Sequence, residues 1–166
     1  MRKERIESAA MVNRLGLAQA PRDLPSRVIL GEGGPVRRYA IAAAIERDPR
    51  FTLAATLVSY WQVERRLTVE APADVFFLSN SFGAPDEIDH CIELANRRGT
   101  RTFVYGGMLS GPAIHRLLQA GAAGYVDSVE TAAGCVHALA ECCTANFVPA
   151  VSLRLVPGAT RAAEMG

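Results

Sequence analysis

At 166 residues and 17.8 kDa the chain has room for one hydrophobic core and too little for two full domains. Its 49% hydrophobic and 21% charged residues exclude a disordered polypeptide, and 18 basic against 17 acidic residues exclude a general pull toward nucleic acid or membrane. Glu4, Glu7 and Arg14 interrupt any apolar signal core, and no apolar run reaches the roughly 18 residues that span a bilayer. Cys91, Cys135, Cys142 and Cys143 lack C-x-x-C spacing, so the expectation is a cytoplasmic protein whose cysteines stay reduced.

Residues 1–26 scatter Ile6, Ala10, Leu15 and Leu17 among charges and close on Pro21 and Pro25, which reads as a weakly ordered extension. From Arg27 a regular alternation begins. The run from Arg27 to Leu30 reads as a strand and Gly31-Glu32-Gly33-Gly34 as a turn. Pro35 suits a helix start, with Tyr39, Ala40, Ala43 and Ala44 at helical spacing until Asp48-Pro49 stops it. A second strand is expected from Phe51 to Val58. Ser59 then caps a helix carrying Tyr60, Val63 and Leu67 beside the charged run Glu64-Arg65-Arg66.

The stretch from Ala73 to Ser81 organises the rest. It is apolar, short and rich in phenylalanine, and it ends abruptly at Ser79-Asn80-Ser81. Such a run reads as a strand buried on both faces, at the centre of a parallel sheet. The next helix, Asp86 to Asn96, gathers Ile88, Cys91, Ile92 and Ala95 on one face and ends at Gly99. Thr102 to Tyr105 is the fourth strand, followed by Gly106-Gly107. A helix from about Gly111 to Gln119 turns Ile114, Leu117 and Leu118 inward. Gly124 to Asp127 is the fifth strand, and a last helix runs from Val129 to about Thr144 with Val136, Leu139 and Cys143 available for packing. Phe147-Val148-Pro149 breaks it, and residues 147–166 read as a helical turn and a tail. Strands alternating with helices imply right-handed crossovers, a parallel sheet and helices on both faces. The expected fold for residues 27–146 is therefore an α/β, flavodoxin-like, doubly wound five-stranded sheet of order 2-1-3-4-5.

Three segments carry a resemblance: Val28-Ile29-Leu30-Gly31-Glu32-Gly33-Gly34-Pro35-Val36-Arg37, the strand ending at Ser79, and Ala120-Gly121-Ala122-Ala123-Gly124-Tyr125-Val126. Together they resemble a CheY-like response-regulator receiver domain, of the type found in LuxR-type (NarL-like) transcriptional regulators. The segment Phe147-Val148-Pro149-Ala150-Val151-Ser152 resembles the stretch just after the last receiver helix in that type. The resemblance implies a phosphoryl-accepting aspartate at the end of the third strand and two magnesium-binding acids after the first. It also implies a hydroxyl residue after the fourth strand and a lysine after the fifth. Carried onto this chain, the acids fall on Glu32 and Gly33, the acceptor on Ser79, the hydroxyl on Gly106 and the lysine on Ser128. The aromatic switch position is kept as Tyr125.

Only Glu32 survives of that chemical set. Acyl-phosphate formation needs a carboxylate, and a serine hydroxyl is a weak nucleophile without a neighbouring base. Magnesium is ordinarily held by one or two carboxylates among several oxygens, for which Glu32 alone is a poor start. The reading is a degenerate receiver that has left the aspartyl-phosphate cycle, with no cofactor, no metal site and no catalytic residue. Ser79 lacks the G-x-S-x-G frame of a hydrolase elbow, and the third glycine of a dinucleotide loop would fall on Val36. His90, His115 and His137 lie on separate helices without ligand spacing, and Cys135 and Cys142 share a helix face as packing residues.

The expected function is a phosphorylation-independent signalling or transcription-regulatory module that works through protein–protein contacts. Tyr125, His115 and Arg116 mark a switch or interaction surface. The partner is another protein or a second copy, with no membrane, and DNA is reached only through a helix-turn-helix for which the chain has no room after the receiver. The chain is then a fragment or a stand-alone adaptor. The alternative is a small-ligand sensor that uses the pocket bordered by Gly33, Gly34, Gly106 and Gly107.

Overall fold

The computed structural model describes residues 25–107, 109–127 and 131–144. The expectations for residues 1–24, for Ser128 and for everything after Thr144 lie outside the described residues. The elements run β1 (Ser26–Gly31), α1 (Pro35–Arg47), β2 (Phe51–Leu57), α2 (Tyr60–Val69), β3 (Val75–Ser79), α3 (Pro85–Arg97), β4 (Arg101–Gly106), α4 (Gly111–Gln119), β5 (Gly124–Asp127) and α5 (Ala132–Thr144). All four strand pairings are parallel, and the order is β2-β1-β3-β4-β5.

The alternation of side chains along each strand sorts the core into two layers. Val28, Leu30, Val75, Phe77, Phe103, Tyr105 and Val126 face α1 and α5, where Ile41, Ile45, Val136 and Leu139 meet them. Ile29, Phe76, Leu78, Val104 and Tyr125 face α2, α3 and α4, against Val63, Leu67, Ile88, Ile92, Ile114 and Leu117. β3 is buried along its whole length, as expected of a central parallel strand. Fully burying one such side chain contributes about 2 kcal/mol, so these two layers are the main source of stability.

One helix presents a different face from the one its alanines suggested. In α1 the buried residues are Ile41 and Ile45, while Tyr39 is 80% and Val36 84% exposed. The two isoleucines, four residues apart, bring far more apolar area to the sheet than alanine does, and this sets the rotation of the helix. Ser59 precedes α2 without bonding it through its hydroxyl; Gln62 Oε1 accepts instead from the Val58 amide at 2.7 Å. Gly99, at φ +72°, ends α3 as expected. No helix among the described residues is long and apolar enough to cross a membrane.

Candidate functional site

In a doubly wound sheet the chemistry gathers at the carboxyl ends of the strands. Here that edge collects Glu32 after β1, Ser79 at the tip of β3, Gly106 at the tip of β4 and Asp127 at the tip of β5. Glu32 is only 2% exposed. Its Oε1 accepts from the Gly34 amide at 2.9 Å and its Oε2 from the Tyr105 hydroxyl at 2.7 Å. A buried carboxylate needs such donors, because leaving it unpaired would cost several kcal/mol.

The Tyr105 bond crosses the sheet. Tyr105 is the register partner of Ser79, and its hydroxyl passes over β3 to reach the loop after β1. Its ring lies against Phe77 with centroids 4.3 Å apart, and the Arg37 guanidinium stands 5.7 Å above it. Burial, then the bond to Glu32, then the Glu32 charge, drive the phenol far above its ordinary ionisation range, with Arg37 opposing them. Tyr105 therefore stays a neutral donor. Arg38 Nη1 donates to the Glu32 and Gly33 carbonyls at 3.2 and 3.1 Å, which holds the first turn of α1 against the same loop.

Ser79 is 1% exposed. Its Oγ lies 3.0 Å from Ser81 Oγ and accepts from the Ser81 amide at 3.3 Å. Among the described residues no histidine, lysine or carboxylate bonds to it, so the side chain has no base to activate it. At Gly106 a β-carbon would come 2.9 Å from Asn80 Cβ. Asn80 therefore fills the space that a larger residue would need, and the void expected at this glycine is not formed. Gly34 is bounded by Glu32 Oε1, Gly33 lies in ordinary contact distance of the Val58 carbonyl, and Gly107 faces open space.

Tyr125 is 1% exposed and points inward, its hydroxyl donating to the Gly106 and Gly107 carbonyls at 3.1 and 2.6 Å. Burial, followed by the Asp127 charge, pushes this phenol up to about 12. Of the expected switch surface of Tyr125, His115 and Arg116, the tyrosine therefore lies inside the fold. The ring is packed in the core layer beneath α4, where it buries a large apolar area and still finds acceptors for its hydroxyl. His115 is exposed on α4, and Arg116 pairs with Asp89 of α3 at 3.0 Å.

Tyr105 and Asn80 escaped the sequence reading. The usable signal was a tyrosine closing a buried strand, since a buried phenol needs a hydrogen-bond acceptor. Glu32 was the unpaired acid already assigned to that edge.

Glu32 is the one acid left at the position of the magnesium pair, and both its oxygens are bonded within the protein. Among the described residues no group of three His, Cys, Asp or Glu side chains is placed to hold a metal ion. The donor set does not fit magnesium.

A five-stranded parallel sheet of order 2-1-3-4-5 with helices on both faces is a doubly wound, CheY-like α/β fold. Solved structures give the same class. The signal receiver domain of the response regulator NarL from Mycobacterium tuberculosis matches with TM-score 0.58 at 17% identity, over 72% of this chain and 96% of that one. The isolated receiver domain of RcsB from Salmonella enterica serovar Typhimurium, solved with the phosphomimetic BeF3−, matches with TM-score 0.62 at 15% identity, over 80% and 99%. CheY6 from R. sphaeroides, in complex with the P1 domain of CheA3, belongs to a third such structure, with TM-score 0.61, 17% identity, and 73% and 98% covered. No family model matches the chain, and no curated protein matches it in sequence. At these identities the likeness is one of fold.

Proposed function

We propose that the chain is a phosphorylation-independent receiver-like module of a two-component-type signalling or transcription regulator, acting in the cytoplasm through contacts with a protein partner or a second copy. The observation that carries this is the Tyr105–Glu32 bond. The one acid left at the magnesium position already has a protein donor on each oxygen. To bind a cation it would have to exchange both for a site without a second carboxylate. Ser79 supports the same reading, its hydroxyl being bonded to Ser81 and, among the described residues, to no histidine, lysine or carboxylate. The complex of CheY6 with a CheA3 domain supports protein contact as a use of this fold. DNA would enter only through a separate helix-turn-helix.

The small-ligand reading has less support, because Asn80 takes the space beside Gly106. An enzyme reading has less support as well, because among the described residues no base bonds to Ser79 at this edge.

Incubation with acetyl phosphate and magnesium, followed by intact mass measurement, tests the proposal. The expected result is an unmodified chain. A base-labile phosphoryl adduct on a carboxylate would overturn it. Ser79→Ala is expected to leave partner binding unchanged; loss of binding would place the serine in the contact after all.

A further inference from the structure

The chain's one tryptophan is 82% exposed. A tryptophan side chain offers roughly 150–250 Å2 of contact area and is strongly favoured in the energetic centres of interfaces. Trp61 does not stand alone. Tyr60 meets it edge-on, with ring centroids 5.8 Å apart and planes inclined at 64°, and the Tyr60 ring lies 6.0 Å from His90 of α3. Val58, 42% exposed at the end of β2, extends the apolar surface. The patch thus spans the start of α2 and the facing side of α3.

Its border is acidic. Glu64 follows Tyr60 by four residues on α2, and Asp86 and Glu87 precede His90 by four and three residues on α3, so helical spacing puts three carboxylates on the faces that carry these rings. Glu87 caps α3 by accepting from the Ala84 amide at 2.9 Å. Glu64 and Asp86 are exposed, and among the described residues neither carries an ion pair. Arg65, exposed next to Glu64, and Arg66, buried and paired with Glu70 at 3.1 Å, are the cations on this part of α2. The whole chain carries a formal charge of only +1, so this negative, aromatic zone is a local feature.

We propose that the Tyr60–Trp61 face of α2 and α3 docks a basic, arginine- or lysine-bearing segment of a protein partner. The inference rests on the protein-contact reading above. Aromatic faces attract guanidinium and ammonium groups, and the flanking carboxylates select a cationic partner over an acidic one. The same charges disfavour nucleic acid and anionic lipid.

Trp61 reports on its own surface, since no other tryptophan contributes to the emission. The test titrates the full chain with a short polyarginine peptide, and with polyglutamate of matched length, at low and high salt. The expected result is a saturable change in Trp61 emission with polyarginine that weakens as salt rises, and none with polyglutamate. The double variant Glu64→Gln/Asp86→Asn, with its urea midpoint checked against the parent, is expected to bind polyarginine about tenfold more weakly. Trp61→Ala, followed by calorimetry, is expected to lose binding as well. An unchanged emission, an equal response to polyglutamate, or parent-like binding by the double variant would overturn the proposal. Acetyl-phosphate labelling separates the two readings. A labelled chain that still binds polyarginine removes the phosphorylation-independent function alone, and an unlabelled chain that fails to bind removes this surface alone.

Discussion

The Tyr105 hydroxyl stands 2.7 Å from Glu32 Oε2 and ties the end of β4 to the loop after β1, over the strand that separates them. The two residues are 73 positions apart. Their bond closes the edge at which a receiver would hold its cation.

Tyr105→Phe keeps the ring against Phe77 and removes only this donor. The carboxylate, still buried, loses a charge-assisted hydrogen bond, and the expected cost is about 2 kcal/mol in urea unfolding. In a double-mutant cycle with Glu32→Gln the two changes should couple by about 1 kcal/mol or more. Additive effects would mean that the bond contributes nothing.

Alkaline pH should destabilise the fold, beginning where free thiols ionise. Burial pushes the Cys91 thiol up to about 12, with the Glu87 charge adding to it, and pushes Cys135, Cys142 and Cys143 up to about 11. In the unfolded chain these thiols ionise near 9.0. Above that pH the unfolded state binds fewer protons than the native state, so unfolding free energy falls as pH rises. The stabilisation is complete below about pH 9 and is lost progressively toward pH 11 to 12, where Tyr125 adds to the trend. Urea midpoints across that range measure it, and a flat profile would contradict the burial. The same burial predicts that at mildly alkaline pH the native thiols react slowly with a disulfide reagent and that unfolding releases their reactivity.

Two glycines should differ in their response to alanine. Gly121 has φ +106°, and a β-carbon there would run into the Asn96 amide, which donates to the Gly121 carbonyl at 3.0 Å. Gly121→Ala is expected to cost about 2 kcal/mol or more. Gly107 has negative φ and open space around it, so Gly107→Ala should stay within about 0.5 kcal/mol of the parent. Thermal and urea unfolding of the pair give the comparison.

Gly106→Ala tests whether Asn80 closes the edge. The new carbon meets Asn80 Cβ at 2.9 Å, so the variant should lose about 1–3 kcal/mol. Asn80→Ala leaves that Cβ in place and gives no relief. Asn80→Gly removes it, and the double variant Asn80→Gly/Gly106→Ala should recover part of the loss beyond the sum of the single changes. Strict additivity would sink this explanation.

Local pattern was enough to read the succession of strands and helices, because a two-residue alternation and a 3.6-residue periodicity are written in neighbouring side chains. The buried central strand, the glycine end of α3 and the inward residues of α3 and α4 were legible in this way. The identities of Glu32, Ser79 and Gly106 at the strand ends were equally legible, since the sequence and the strand order together place them at one edge. The tertiary structure alone decided where Tyr105 and Tyr125 direct their hydroxyls, which side of α1 meets the sheet, that Asn80 fills the space beside Gly106 and that Trp61 is left in water. Each of these depends on partners brought together by strand order and register. A hydrogen-bond donor selects its acceptor by distance in space, and separation along the chain carries no record of that distance.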